Sequence, residues 1–191
     1  MKSTMKTHCL LLIALTVVCT PAWAMLEPGD AAPNFSAKAS LAGKEVRFSL
    51  AEALKSGPVV LYFYPAAFTE GCTIEAHNFA EATDTFAELG ATVLGVSNDK
   101  IETLKKFSVS ECRNKFAVAA DTDKKIMKAY RAAMLGGLVS MADRTSYVIT
   151  PDSHILFAYS ALDPNGHVDR TLEAVRRWRI EHPKSSPASA P

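Results

Sequence analysis

Cysteine is scarce in this chain. There are four in 191 residues, and two of them, Cys9 and Cys19, lie in the first 24 positions, so only Cys72 and Cys112 remain beyond. Neither belongs to a C-x-x-C pair: the residue three before Cys72 is Thr69 and the one three after is Glu75. That removes the usual signature of a dithiol oxidoreductase, and the lack of any C-x-x-C-H removes covalent haem attachment. Metal binding through Cys72 and His77 gains little support, because a five-residue separation does not put both side chains cleanly on one helical face. Beyond residue 24 no apolar run approaches the ~20 residues that a membrane-spanning helix needs. Charge of one sign is missing too. The chain has 21 basic against 20 acidic residues, and two of the basic ones fall in the first 24 positions. A near-neutral balance offers no electrostatic footprint for nucleic acid or an anionic membrane surface. There is no internal repeat and no sign of a second domain.

What is present begins with an export signal. Lys2 and Lys6 precede the apolar run from Leu10 to Val18, and Ala22-Trp23-Ala24 supplies a small-x-small cleavage pattern. Residues 1–24 read as a secretory signal peptide, with Val18 too bulky for a lipoprotein reading of Cys19. Residues 25–182 form one domain large enough for a sizeable core. Residues 183–191, rich in Pro, Ser and Ala, read as a disordered tail. Export, with the bacterial periplasm as the expected compartment, puts Cys72 and Cys112 where disulfides persist. The pair is then either a structural bridge or a redox couple.

Apolar patterning sets the fold class. Met25 to Ala32 is an extended lead-in and Val46 to Leu50 a short strand. Val59 to Tyr64 (VVLYFY) is β-branched and aromatic without polar alternation, the mark of a strand covered on both faces. Glu70 to Leu89 has helical spacing of Ile74, Phe79, Phe86 and Leu89, ending at Gly90 as a C-cap. Thr92 to Ser97 and Phe116 to Ala120 are further strands, with helices at Lys100 to Val109 and around Thr122 to Arg131. Leu135 to Asp143, with Gly136-Gly137, is a loop. Thr145 to Thr150 and Ile155 to Tyr159 flank the turn Pro151-Asp152-Ser153 and make a hairpin, and His167 to Ile180 is a closing helix. Alternating strands and helices followed by a hairpin imply an α/β protein of thioredoxin-like fold, a central mixed sheet with helices on both faces. Reactive groups in such sheets gather at the C-terminal ends of strands, where Cys72 stands. A sulfur at a helix start faces unpaired N–H groups and the positive end of the helix dipole, which favour a thiolate. It is expected at the mouth of a shallow cavity.

The residues around that sulfur carry a family resemblance. Pro65-x-x-x-Thr69-x-x-Cys72 resembles the peroxiredoxin pattern P-x-x-x-(T/S)-x-x-C, its YFYP…T.GCT.E surroundings are similar to the Q-type, or bacterioferritin-comigratory, subgroup, and Arg144-Thr-Ser-Tyr-Val-Ile resembles the strand that carries the family's arginine. The resemblance covers about Pro28 to Trp178. It implies a thiol peroxidase that reduces hydrogen peroxide or organic hydroperoxides with no metal, haem or other cofactor. Cys72 would be the peroxidatic nucleophile. Thr69 would hydrogen-bond the thiolate and the peroxide, Pro65 would shield the pocket, and Arg144 would stabilise the thiolate and the charge on the oxygens. Glu75, on the same helical face as Cys72, is expected to be neutralised by a cation or by backbone and tyrosine donors.

The chain departs from the subgroup's commonest pattern at His77, where many members carry a resolving cysteine. Cys112 is the candidate for that role, forming an intramolecular disulfide with Cys72, and the alternatives are a buried structural cysteine or a one-cysteine enzyme. His77 itself reads as a solvated helix residue. Bridging would require the first turn of the Cys72 helix to unwind. The expected partners are a peroxide and a thioredoxin-like or other thiol reductant, with no nucleic acid and no stable membrane association, and the subgroup points to a monomer. The competing function is an exported thiol–disulfide oxidoreductase or electron carrier on the same fold.

Overall fold

The computed structural model describes residues 25–134 and 141–183. The signal segment, the Gly136-Gly137 stretch of the expected loop and nearly all of the tail lie outside the described residues. Among the described residues, seven strands and five helices follow one another as β1 (Ser36–Leu41), β2 (Lys44–Ser49), α1 (Leu50–Leu54), β3 (Val59–Phe63), α2 (Glu70–Glu88), β4 (Thr92–Ser97), α3 (Ile101–Ser110), β5 (Ala117–Ala120), α4 (Lys125–Ala129), β6 (Thr145–Ile149), β7 (Ile155–Ser160) and α5 (His167–Glu181). The strands form one sheet in the order β2-β1-β5-β4-β3-β6-β7. Only β3–β4 and β4–β5 are parallel, and every other pair is antiparallel. The sheet is therefore mixed, as the patterning implied.

β3 sits at the centre and feeds both cores. Val59, Leu61 and Phe63 point into a layer shared with α1 and α4, while Val60, Tyr62 and Tyr64 point into the layer under α2, α3 and α5. Period-two alternation with apolar residues on both sides explains why the VVLYFY run shows no polar positions. Helix α2 ends in a Schellman motif: Gly90, at φ 76°, donates its N–H to Ala87, and Ala91 donates to Phe86, both at 2.8 Å. The C-cap reading of Gly90 holds.

The N-terminal third differs from expectation. A hairpin of β1 and β2 replaces the single strand Val46 to Leu50, turning at Ala42 and Gly43 with φ values of 50° and 77°. β1 (SAKASL) has no β-branched residue, and its strand state comes from pairing with β2 and β5 rather than from propensity. Leu50 opens α1 instead of ending β2, because the Ser49 hydroxyl accepts the Glu52 N–H and caps the helix. Helix α4 is also shorter than the Thr122 to Arg131 span, with Lys124 left-handed just before it.

Candidate active site

The C-terminal end of β3 delivers the chain into a short, held loop. Tyr64 extends the strand by donating to the Val96 carbonyl, and Asp99, past β4, accepts the Ala67 N–H and the Ser97 hydroxyl, each at 2.8 Å. Phe68 turns the backbone at φ 65°, after which Thr69 stands at the N-cap of α2. Its hydroxyl caps nothing. It donates to the Ala66 carbonyl at 3.0 Å, so reaching the sulfur or a peroxide requires it to rotate. The N–H groups of the first turn are therefore not consumed by a side-chain cap. Pro65 is half-buried where β3 ends.

Cys72 is the third residue of α2 and is 1% exposed. It lies beneath the first turn of the helix rather than at the mouth of an open cavity, which corrects that expectation. What covers it is Arg144, the residue before β6. The guanidinium is itself buried and spans three partners: Nη2 lies 3.6 Å from the Cys72 sulfur, Nη1 lies 2.5 Å from Glu75 Oε2, and Nε donates to the Leu162 carbonyl at 3.0 Å. A planar fork with several fixed donors can make all three bonds, which an ammonium on a flexible stem cannot. The positive charge against sulfur that the resemblance implied is present.

Glu75 is fully buried one turn along α2. It is paired with a cation, Arg144, one of the partners expected for it. Burial nonetheless outweighs the guanidinium and raises its carboxyl to about 8. Its second oxygen, Oε1, has no hydrogen-bond partner and faces His167 Nδ1 at 3.6 Å. His167 opens α5, is fully buried, and is locked between the Ser146 hydroxyl on Nδ1 (2.8 Å) and the Ala161 carbonyl on Nε2 (3.0 Å). Burial lowers its pKa to about 4. Sequence reasoning missed His167, Ser146 and Asp99. A histidine opening a helix some ninety residues from the cysteine gives no local pattern that points to it.

Cys112 lies in the turn after α3, fully buried, with its N–H on the Phe107 carbonyl. It shares the apolar layer under α2, α3 and α5 with Cys72, Tyr62 and Tyr64. The two thiols are unbridged. Burial, with Glu111 adding to it, pushes the Cys112 thiol well above its ordinary value. The segment is tied to α2 through alternate residues: Glu111 meets His77 at 2.8 Å, and Arg113 pairs with Glu81 at 3.1 Å and Lys115 with Asp84 at 2.8 Å. His77 is thus a half-buried clasp on this segment, not the freely solvated residue expected. A surface cleft of about 690 Å³, lined by Phe35, Lys100, Asp121 and Tyr130, lies away from Cys72.

Comparison with known proteins agrees with this geometry. Residues 28–158 match the model of the AhpC/TSA family. The bcp protein of Helicobacter pylori strain J99 is 34% identical over 154 residues, covering 78% of this chain and 98% of its own. Peroxiredoxin Bcp of Escherichia coli K12 is 30% identical over 161 residues, covering 82% and 97%. Among solved structures, the peroxidoxin BcpB of Mycobacterium tuberculosis is similar with a TM-score of 0.71 and 30% identity, over 80% of this chain and 97% of that one.

Proposed function

The chain belongs to the AhpC/TSA family and is a thiol peroxidase of the Q-type peroxiredoxin subgroup, and from that premise we propose that Cys72 is its peroxidatic cysteine and Cys112 its resolving one. The observation that carries the assignment is the Arg144 guanidinium 3.6 Å from the Cys72 sulfur at the start of α2. A thiolate there attacks one peroxide oxygen. The S–O bond forms as the O–O bond breaks, sulfur gives up two electrons, and hydroxide or alkoxide leaves and takes a proton. Arg144 and the N–H groups of the first turn are donors aimed at that developing charge. Thr69 and Pro65 border the approach, Thr69 as a donor to the peroxide once its hydroxyl rotates, Pro65 as a shield.

The sulfenic acid is then attacked by Cys112, with loss of hydroxide and formation of a Cys72–Cys112 disulfide. A thiol held protonated by burial attacks poorly, so Cys112 becomes a nucleophile only when its segment opens. The first turn of α2, with Gly71, Thr73 and Ile74, contains few strong helix formers and unwinds at little cost. A thioredoxin-like dithiol returns the disulfide to two thiols. The substrates are hydrogen peroxide and organic hydroperoxides, the enzyme works as a monomer, and the segment of residues 1–24 directs it to the periplasm. The family match begins only at residue 28, after that segment, and among the described residues no helix is long and apolar enough to cross a membrane.

Two variants test the assignment. Cys72→Ser consumes no peroxide. Cys112→Ser reacts once and stops at the sulfenic acid unless a small thiol is supplied. Full turnover by Cys72→Ser refutes it, and mass spectrometry of a peroxide-treated chain reads the disulfide directly.

A further inference from the structure

Phe68 departs from what its residue type prefers. A bulky side chain stands in the left-handed region, at φ 65°, and a large apolar ring is 49% exposed. Such backbone strain persists where surrounding contacts hold it, and two do so here. The Ala67 N–H donates to Asp99 Oδ2 at 2.8 Å, which pins the loop to the end of β4. The Phe68 ring meets the Phe107 ring of α3 edge-on, with centroids 5.3 Å apart, a favoured aromatic geometry. Phe107 is fully buried, and its carbonyl accepts the N–H groups of Glu111 and Cys112. Phe68 thus stands against the residue that holds the Cys112 turn, four positions before Cys72. The helix that follows is weakly started. Thr69 gives no side-chain cap, and the Thr73 N–H on the Thr69 carbonyl closes the first turn at 2.9 Å. With Ala67 pinned, unwinding that turn pivots the chain at Phe68, relieves its backbone and draws its ring off Phe107.

We propose that Phe68 is a positioning residue, a latch whose ring on Phe107 keeps the first turn of α2 wound over Cys72, and that its release sets how the Cys72 sulfenic acid divides between disulfide and further oxidation. The proposal rests on the peroxidase reading, with Cys112 resolving, and deepens it. In the wound state the sulfenic sulfur stays beside Arg144, where a second peroxide reaches it. A second S–O bond forms as the O–O bond breaks, sulfur gives up two more electrons, and the sulfenic proton passes to the oxygen that leaves as water or alcohol. In the unwound state Cys112 reaches the same sulfur, hydroxide leaves and the S–S bond forms. Oxidation itself loads the latch. Cys72 is 1% exposed beneath the wound turn, so the oxygen it gains crowds that state, and the thiolate charge that Arg144 faces at 3.6 Å is lost. Disulfide formation also needs the Cys112 segment to open. Both openings are required, so a change in either carries through to the rate.

The test reads the division and the winding separately. Reduced protein is mixed once with rising hydrogen peroxide and no reductant, and mass spectrometry measures disulfide against sulfinic acid. Phe68→Ala, which loses the ring and keeps the strain, raises the peroxide concentration giving equal amounts by about two- to tenfold, the range that one aromatic pair is worth. Phe68→Tyr keeps the ring and stays at the native value. Phe68→Asn has no ring but tolerates the left-handed backbone, so it falls between the two. In the reduced protein, hydrogen exchange at the Thr73 amide quickens in Phe68→Ala by the same factor. The Ala91 amide, bonded to the Phe86 carbonyl at the other end of α2, keeps its native protection, which a general loss of stability would not allow. An unmoved equal-yield concentration, or a Thr73 amide with native protection, overturns the latch. Phe68→Asn carries the same comparison if the alanine variant does not fold. A native protein that forms no disulfide refutes the resolving role of Cys112 instead, and Thr73 exchange then decides the latch on its own.

Discussion

Arg144 occupies the space where Gly71 has no side chain. A Cβ built at Gly71 would stand 2.9 Å from Arg144 Nη2, the same nitrogen that faces the Cys72 sulfur. The glycine of the T-x-G-C stretch is therefore a seat for the guanidinium. Because Nε and Nη1 are anchored on Leu162 and Glu75, Arg144 cannot step aside without losing those bonds.

Gly71→Ala should therefore slow the reaction of the reduced enzyme with peroxide by about tenfold, since losing or misplacing one charge-stabilising donor costs at least 1.4 kcal/mol of barrier. Fold stability should change by under about 1 kcal/mol, because alanine's better helix propensity offsets the strain. Stopped-flow rates beside chemical denaturation check both. A native rate with native stability would show that the guanidinium does not need that space.

Arg144→Lys tests the fork. An ammonium can meet Glu75 or the sulfur, but it cannot bond both and Leu162 at once. The expected loss in the peroxide rate constant is about 10²-fold or more, the range for removing a preorganised donor. Stability should fall as well, since Glu75 Oε2 loses the guanidinium nitrogen that meets it inside the core. A lysine variant within threefold of the native rate would mean that point charge alone suffices.

How far these arrangements are legible in sequence differs by residue. The sheet core was readable because VVLYFY and TVLGVS are apolar runs bounded by turn residues, and the Gly90 cap because a helical period ends on it. Cys72 was readable from its position between a strand end and a helix start, and Arg144 only through the family pattern. β1 was not, because Ser-Ala-Lys-Ala-Ser-Leu has no strand propensity and is held by its neighbours. His167 and Asp99 were not, because the packing of α5 brings His167 behind Glu75 and the loop after β4 brings Asp99 to Ala67. The inward face of α2 was also misjudged. Ile74 is 38% exposed while Glu75 is buried, a reversal of ordinary preference explained only by Arg144.

Stability should depend on pH through Glu75 and His167. In the fold Glu75 keeps its proton up to about 8 rather than 4.5, so the folded state binds a proton that the unfolded chain has released, and stability falls as pH rises through that window. His167, held near 4 rather than 6.5, does the reverse, and stability rises between those values. The two cancel from about 4.5 to 6.5. Above 6.5 only the Glu75 loss remains, up to about 2 kcal/mol by pH 8 at roughly 1.4 kcal/mol per unit. Urea denaturation at pH 6.5 and 8 should show that loss in the native chain and not in Glu75→Gln. Parallel curves for the two proteins would refute it.

The ladder His77–Glu111, Glu81–Arg113 and Asp84–Lys115 holds the Cys112 segment against α2. Arg113 and Asn114 within it are both left-handed, at φ 50° and 60°, so the backbone gains by opening while the ion pairs resist. Release of the segment should limit disulfide formation if Cys112 resolves. Exposed pairs are each worth about 0.2–1 kcal/mol. Arg113→Glu, which sets a carboxylate against Glu81, should therefore speed conversion of the sulfenic acid to the disulfide about two- to fivefold. The preceding reaction with peroxide takes place at the far end of α2 and should not change. Quenched-flow mass spectrometry separates the two steps, and raising the salt to about 1 M should bring the native chain toward the variant, because screening weakens the same pairs. If the variant and high salt both leave the disulfide step untouched, the ladder is surface decoration and the barrier lies in unwinding the first turn of α2.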